Sequence, residues 1–252
     1  MATRSPRMAS SIANRQSDFP ATSRLQKTQI TNKHTGRSPC PGLNVLANHG
    51  WLPRSGKNID ISMFRLAIKE AYNYVPTALD FAFEQALDFN LTTTGNSSTI
   101  NLADLAKHDD IEFDGSLSRN DIYFGDNLHF DPVIWRTVAK HLRLYETLGE
   151  EKNNYVTVEM AAKARAARVA EAKKVNPSFN ASANEMSGSP GTTGLYLLTM
   201  WDDNFGAAPK AWVRAFFEDE RIPYLEGYQP PKVPRTSANV TDMAIRVGAV
   251  KV

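Results

Sequence analysis

Apolar residues recur every three or four positions along most of this chain, a spacing that predicts α-helices. The clearest segment begins at Asp60, whose side chain can cap a helix, and continues through Ile61, Phe64 and Ile68 until Pro76 stops it. Apolar and polar residues nowhere alternate for long enough to predict an extended strand. The pattern therefore predicts a helical protein.

The same periodicity predicts helices along the rest of the chain. Helices are expected to start at Gly42 or Leu43, at Thr77, at Pro209 and after Asp131, the last of these ending at Gly149. Further helices are expected over residues 102–107, 157–175, 195–201 and 236–247. The segment 195–201 is apolar on every side, which predicts burial. A chain of 252 residues can enclose one substantial core. We expect an all-α protein with a single folded domain.

The first 37 residues differ in composition from the remainder. They are rich in arginine, serine and threonine and contain a single acid, Asp18. We expect a flexible basic extension over residues 1–37 and a folded domain over residues 38–252. This composition also fits an organellar transit peptide, although Pro6 and Pro20 would interrupt its helix. No apolar segment follows Met1, so the sequence predicts no secretory signal and an intracellular, cytoplasmic location.

Charge and cysteine content narrow the function classes. The chain has 29 basic and 27 acidic residues and a formal net charge of +2, so we expect no nucleic-acid partner. No apolar stretch is long enough to span a bilayer, so no membrane span is expected. Cys40 is the only cysteine, which excludes an intramolecular disulfide.

The surroundings of Cys40 suggest a chemical role for its sulfur. Pro39 and Pro41 restrict the backbone on both sides, and Pro41 suits the first turn of the helix that follows. The sulfur would then lie at a helix N-terminus, where amide groups stabilise a thiolate. Such a thiolate can be an axial ligand of haem iron. A lone cysteine is also often a small buried apolar side chain, and the residues alone leave both possibilities open.

A second candidate site follows Ile111. Glu112 and Ser116 offer hard oxygen atoms four residues apart, with a backbone carbonyl between them. Such ligands suit Mg²⁺ or Mn²⁺, which complete their shell with water and an anionic group such as a haem propionate. The alternative is an acidic loop capped by Ser118, in which Arg119 pairs locally.

The two loops occur together in a recognisable combination. Residues 38–59 contain Pro-Cys-Pro and Ala-Asn-His-Gly, and residues 112–119 read Glu-Phe-Asp-Gly-Ser-Leu-Ser-Arg. In this combination the chain resembles the fungal haem-thiolate peroxidases, which comprise the chloroperoxidases and the unspecific peroxygenases. Further matches extend the resemblance over about residues 38–231. It implies a chloroperoxidase-like helical fold, haem b bound by Cys40, and Mg²⁺ or Mn²⁺ bound beside a propionate by Glu112, the main-chain oxygen of Phe113, and Ser116.

The chain departs from this family at two positions. The chloroperoxidase-like branch has a catalytic glutamate three residues before its Leu-Tyr-Leu segment, paired with a histidine that follows the cation-binding glutamate. The corresponding residues here are Thr192 and Phe113. Because neither can replace a carboxylate as general acid–base, we expect an altered distal site. Glu185 could fold back as a substitute, although residues 187–191 are expected to separate it from the helix.

The other polar candidates have simpler interpretations. His49 is expected to pack and hydrogen-bond, and His141 to be solvated. His108 and His129 flank the Glu112 loop but lack the close spacing of metal-binding histidines. A basic helical face is expected to be solvated, and it comprises Lys163, Arg165, Arg168, Lys173 and Lys174.

The leading functional hypothesis is a haem-thiolate oxidoreductase of the peroxidase–peroxygenase type. It would act with hydrogen peroxide on an apolar small molecule, and a step in fungal secondary metabolism is the expected role by analogy. A first alternative is a haem enzyme that no longer uses peroxide, such as a cyclase, isomerase or dehydratase. A second is a haem carrier without turnover. No feature of the sequence indicates an oligomeric state.

Overall fold

The helices of the protein surround one hydrophobic core. The computed structural model describes residues 36–146, 154–180 and 183–252. Its α-helices are α1 (Pro41–Asn48), α2 (Ile61–Tyr72), α3 (Asp80–Asp88), α4 (Pro132–His141), α5 (Val158–Val175), α6 (Ala183–Thr199), α7 (Lys210–Glu218) and α8 (Ser237–Gly248). Within the described ranges three short 3₁₀ turns connect them, at Leu102–Ala106, Ile122–Phe124 and Tyr224–Glu226. The all-α prediction is confirmed.

Local capping residues determine where several helices begin. The side chain of Asp60 accepts a hydrogen bond from the Met63 amide at the start of α2. Asp131 caps α4, Thr157 caps α5 and Thr236 caps α8 in the same way. Each cap pairs an otherwise unsatisfied amide of the first turn, so these starts are encoded locally and were predicted correctly.

Three predicted helix boundaries were wrong. The helix expected from Thr77 begins at Asp80. The helix after Asp131 ends at His141 and not at Gly149, because Arg143 adopts a left-handed φ of 53°. Gly149 itself lies outside the described residues. The segment 195–201 overlaps the C-terminal part of α6, whose 17 residues include Pro190.

The extended segments are short pairs between loops. Strand β1 (Ile59–Asp60) pairs antiparallel with β2 (Thr99–Ile100), and β3 (Tyr155–Val156) pairs antiparallel with β4 (Ala208–Pro209). They fasten loops to helix ends and form no extended sheet.

None of the helices in the described ranges has both the length and the apolar character that a lipid bilayer requires.

The predicted N-terminal extension lies almost wholly outside the described residues, and its flexibility stays a prediction. Its last residue, Arg37, is attached to the domain. The guanidinium of Arg37 donates hydrogen bonds to Asn48 Oδ1 and to the Arg54 carbonyl. The ordered domain therefore includes Arg37.

Helices α6 and α8 form the most extensive helix pair. Gly194 permits their close approach, since a Cβ atom at this position would lie 2.9 Å from the amide nitrogen of Ala244. Pro190 cannot donate a hydrogen bond to the preceding turn, and yet α6 continues through it. Tertiary packing against α8 compensates for the weak local preference for helix.

We predict that Gly194→Ala destabilises the protein, because the added methyl group meets the backbone of α8. Overpacking of this kind costs about 1–3 kcal/mol. The matched control is Gly191→Ala in the same helix, where a Cβ would meet nothing within 4 Å. Alanine there should raise stability by up to about 1 kcal/mol. Urea unfolding measures both effects, and equal shifts in the two variants would contradict close packing at Gly194.

Candidate active site

A cavity of about 340 Å³ lies among α1, α2, α3, α5, α6, α7 and the loop over residues 111–118. This volume falls in the range of small-molecule pockets. Its wall is mainly apolar, and the side chains that form it include Leu46, Phe64, Phe83, Leu102, Phe216 and Phe217. Two lining residues among those described carry charge, Glu112 and Arg165. The cavity therefore suits an apolar molecule with few polar groups.

Cys40 contributes its thiol to the wall of this cavity. The residue is the N-cap of α1, with extended φ and ψ of −79° and 113°, and Pro41 occupies the first turn as predicted. Cys40 is surrounded by protein atoms and yet has accessible surface, because that surface faces the cavity. The alternative of a cysteine packed against hydrocarbon is therefore wrong.

The thiol is not ionised by its position alone. Burial raises the pKa of Cys40, while the amides of Gly42 and Leu43 at the start of α1 lower it by a smaller amount. The thiol makes no capping hydrogen bond of ordinary geometry. The helix N-terminus thus favours a thiolate as expected, but in the protein alone loss of solvation outweighs the favourable amides.

A hydrogen-bond network fixes the loop that carries Cys40. Ser38 exchanges two main-chain hydrogen bonds of 2.8 Å with the Asn44 side-chain amide, and the Ser38 hydroxyl accepts from the Cys40 amide at 3.0 Å. The Asn44 Nδ2 also donates to Glu220 Oε1 at 2.8 Å. Arg119 Nη2 donates to the same carboxylate oxygen at 2.5 Å.

This network corrects one prediction about Arg119. Its guanidinium is 1% exposed and forms an ion pair with Glu220, which is distant in sequence. The alternative of an ordinary acidic loop expected Arg119 to pair locally, and its ion pair is not local. One local contact does occur, because Arg119 Nη1 donates to the neighbouring Ser118 hydroxyl. Sequence reasoning assigned no role to Asn44 or Glu220. The nearest signal was their presence in stretches that resemble the family.

His49 has the packing role that was expected. It is buried behind α1, and its Nε2 accepts a hydrogen bond of 2.9 Å from the Ile222 amide. Because Ile222 follows Glu220 closely, this bond holds the same segment against α1.

Glu112 presents one free carboxylate oxygen in the cavity wall. Its Oε2 accepts from Asn127 Nδ2 at 2.6 Å and lies 2.8 Å from His108 Nδ1. Its Oε1 is buried and has no hydrogen-bond partner. Burial raises the pKa of Glu112, and the bonds to His108 and Asn127 oppose that shift. A buried acceptor without a partner is the chemical signature of a missing donor or cation.

Ser116 and Phe113 line the same cavity as Glu112. Helix α5 holds this loop through Arg168, whose Nε donates to the Ser116 carbonyl at 3.0 Å. Arg168 also forms a 2.7 Å ion pair with Asp121, and both side chains are at most 2% exposed. The prediction that Arg168 belongs to a solvated basic face is therefore wrong.

Thr192 also lines the cavity, on helix α6. Its hydroxyl donates to the Ser189 carbonyl at 3.0 Å, within the same helix. Residues 187–191 are helical, so the predicted break between Glu185 and Thr192 is wrong.

Arg165 is a second exception to the predicted solvated face, because it lines the cavity from α5. Its Nη1 donates to the Ser189 hydroxyl at 3.1 Å, and its Nε is buried without a hydrogen-bond partner. Burial lowers the pKa of Arg165. The charge pattern of α5 gave no sign of which basic residues face inward.

Clustered metal ligands do not occur in the described part of the chain, since it holds no group of three or more His, Cys, Asp or Glu residues suited to a metal ion. His108 pairs with Glu112, whereas His129 pairs with the exposed Asp126. Any cation beside Glu112 would thus need further ligands of other kinds, such as carbonyl, hydroxyl or water oxygens.

The chain is similar in sequence to several known proteins. The chain is 30% identical over 159 residues to an aromatic peroxygenase of Coprinellus radians, covering 57% of this chain and 58% of that protein. It is 32% identical over 112 residues to a chloroperoxidase of Leptoxyphium fumago, covering 40% and 30%. It is 31% identical over 102 residues to a dothistromin biosynthesis peroxidase of Dothistroma septosporum, covering 34% and 24%.

These matches thus span little more than half of the first relative and less than a third of the other two. The sequence pattern of the family described as peroxidase, family 2, matches residues 28–233. Since that range is most of the chain, the protein belongs to peroxidase family 2, the chloroperoxidase-like family of fungal haem-thiolate enzymes.

Proposed function

We propose that this protein is a haem-thiolate oxidoreductase of the peroxidase–peroxygenase type that acts on an apolar small molecule. The observation that carries the proposal is the position of Cys40, whose thiol is accessible from an apolar cavity inside the protein. The names of the relatives, which include a peroxygenase and a chloroperoxidase, support the same reaction class. The intracellular location stays a prediction from the sequence.

The residues of the cavity fit a haem group. Cys40 would bind the haem iron through its sulfur, and the aromatic and aliphatic wall suits a flat apolar macrocycle. Haem ligated by a thiolate would supply an iron centre whose ligand favours cleavage of the O–O bond of a peroxide. The network of Ser38, Asn44 and Glu220 would keep the sulfur in place.

We also propose a divalent cation, Mg²⁺ or Mn²⁺, at the Glu112 loop. Glu112 Oε1 is a buried acceptor with no partner, and the Phe113 carbonyl and Ser116 would complete a small set of protein ligands. So few ligands suit a cation that keeps water and takes an anionic oxygen from a bound group, here a haem propionate. The role of the cation would be to neutralise charge at the edge of an apolar cavity.

The acid–base residues are proposed to differ from those usual in the family. Thr192 offers a hydroxyl that already donates to the Ser189 carbonyl, and Phe113 offers no proton. Thr192 can form hydrogen bonds but cannot transfer protons near neutral pH as a carboxylate does. Phe113 makes its part of the wall apolar. Turnover of general test substrates with peroxide should therefore be slow.

The same two residues favour one second candidate function. A haem enzyme that catalyses cyclisation, isomerisation or dehydration would need the cavity but not a base for peroxide. The similarity to a dothistromin biosynthesis peroxidase supports a role in secondary metabolism for either candidate.

Substitution at Thr192 separates the two candidates. We predict that Thr192→Glu raises the rate of hydrogen-peroxide-dependent oxidation of an apolar test substrate by about 100- to 10,000-fold, the usual contribution of a positioned acid–base group. Oxidation of naphthalene in the presence of hydrogen peroxide measures it. The matched control is Thr241→Glu on the exposed face of α8, which should leave the rate unchanged.

Two results would count against this account. High peroxide turnover by the unmodified protein would show that it retains an acid–base group. A Thr192→Glu protein that retains haem but gains no peroxide activity would favour the non-peroxide enzyme.

The cation site makes a separate prediction. Glu112→Gln should weaken Mn²⁺ binding by more than about tenfold, since even loss of an outer-shell partner of a metal ligand costs 10- to 100-fold. Electron paramagnetic resonance of added Mn²⁺, after removal of bound cations with a chelator, measures the affinity. Asp126→Asn, which removes an exposed carboxylate paired with His129, is the control and should have no effect. Equal affinities in all three proteins would contradict a cation site at Glu112.

A further inference from the structure

Arg165 is a cation in an apolar cavity, and no carboxylate is paired with it among the described residues. Its Nη1 donates a hydrogen bond to the Ser189 hydroxyl, which carries no charge. Its Nε is buried without an acceptor. A partly buried charge without a counter-ion is costly, so a bound anion would relieve a cost already present in the fold.

The guanidinium of Arg165 keeps two donors that a carboxylate could bind, Nε and Nη2. With Nη1 occupied, the edge formed by Nε and Nη2 has no acceptor in the described part of the chain. Arg65 uses the same edge elsewhere in this protein, where its Nε and Nη2 bind the two oxygens of Asp80 at 2.9 and 2.6 Å. Two parallel charge-assisted hydrogen bonds of this kind are strong and orientation-specific.

We propose that Arg165, together with Ser189, forms a carboxylate-binding subsite in the wall of the cavity. The substrate would then be an apolar molecule that carries a carboxylate. This inference deepens the proposed function and rests on it, because it specifies the substrate class of the same cavity. Ser189 lies one helical turn before Thr192, the position at which the proposed function lacks an ionisable group.

A propionate of bound haem has the same chemistry as a substrate carboxylate. The two sources are distinguished by measuring ligand binding and haem retention in the same variants. The protein used is the full chain with its cofactor, and the ligand probes are 2-naphthoate and its neutral analogue 2-naphthamide.

We expect the unmodified protein to bind 2-naphthoate more tightly than 2-naphthamide in isothermal titration calorimetry. Arg165→Gln should weaken 2-naphthoate binding about 10- to 150-fold, as expected for loss of a charge-assisted hydrogen bond, and change 2-naphthamide binding little. Arg165→Lys should retain part of the preference for 2-naphthoate, because lysine keeps the positive charge but lacks the two parallel N–H donors of a guanidinium. Arg136→Gln, at an exposed arginine of α4, is the matched control.

Haem retention is measured as the rate of transfer of haem to excess apomyoglobin. Loss of the 2-naphthoate preference with normal haem retention would assign the subsite to the substrate. Faster haem loss in Arg165→Gln, with the preference unchanged, would assign it to a propionate.

Equal binding of both ligands by the unmodified protein, with haem retention unaffected by Arg165→Gln, would overturn the subsite. Failure of the proposed function would be a different result: the purified protein would not take up haem, whereas its preference between the two ligands could still be measured.

Discussion

The side chain of Glu220 connects the segments that form the candidate site. One of its carboxylate oxygens accepts hydrogen bonds from Asn44 on α1 and from Arg119, which follows the Glu112 loop. Its main-chain oxygen accepts from Asn48 at the end of α1. Because Asn44 also holds Ser38, the position of the Cys40 sulfur depends on a carboxylate that is far away in sequence. Charge-assisted hydrogen bonds of this kind are stronger than neutral ones, so the network can hold a loop that has little regular structure.

The ionisation of Cys40 illustrates a balance between two opposing effects. The start of α1 favours a thiolate, but burial favours the neutral thiol and raises the pKa of the residue. A coordinated metal changes this balance, because a bound cation deprotonates a thiol ligand outright. Binding of haem iron would therefore release a proton from Cys40. The helix N-terminus would then help to orient the sulfur, and a bound iron would stabilise its charge.

The sequence predicted features that depend on neighbouring residues. The caps at Asp60, Asp131, Thr157 and Thr236 act within a few residues, and their helix starts were correct. Cys40 and the Glu112 loop, which the combination of motifs indicated as site residues, do line one cavity.

Features that depend on distant partners were not predictable in this way. Arg165 and Arg168 belong to a helix with basic residues on several sides, and only the positions of Ser189 and Asp121 determine that they face inward. Helix α6 runs through Pro190 because α8 packs against it, against the local preference of a segment rich in glycine and proline. In both cases the deciding contact joins residues that are remote in sequence.

The central claim is that the Cys40 sulfur binds haem iron in this cavity. The most direct test is the visible spectrum of the purified protein after reduction and exposure to carbon monoxide. The account predicts the red-shifted Soret band of thiolate ligation, and its replacement by an unshifted band in Cys40→His. An unshifted band in the unmodified protein, or no haem spectrum at all, would contradict the account.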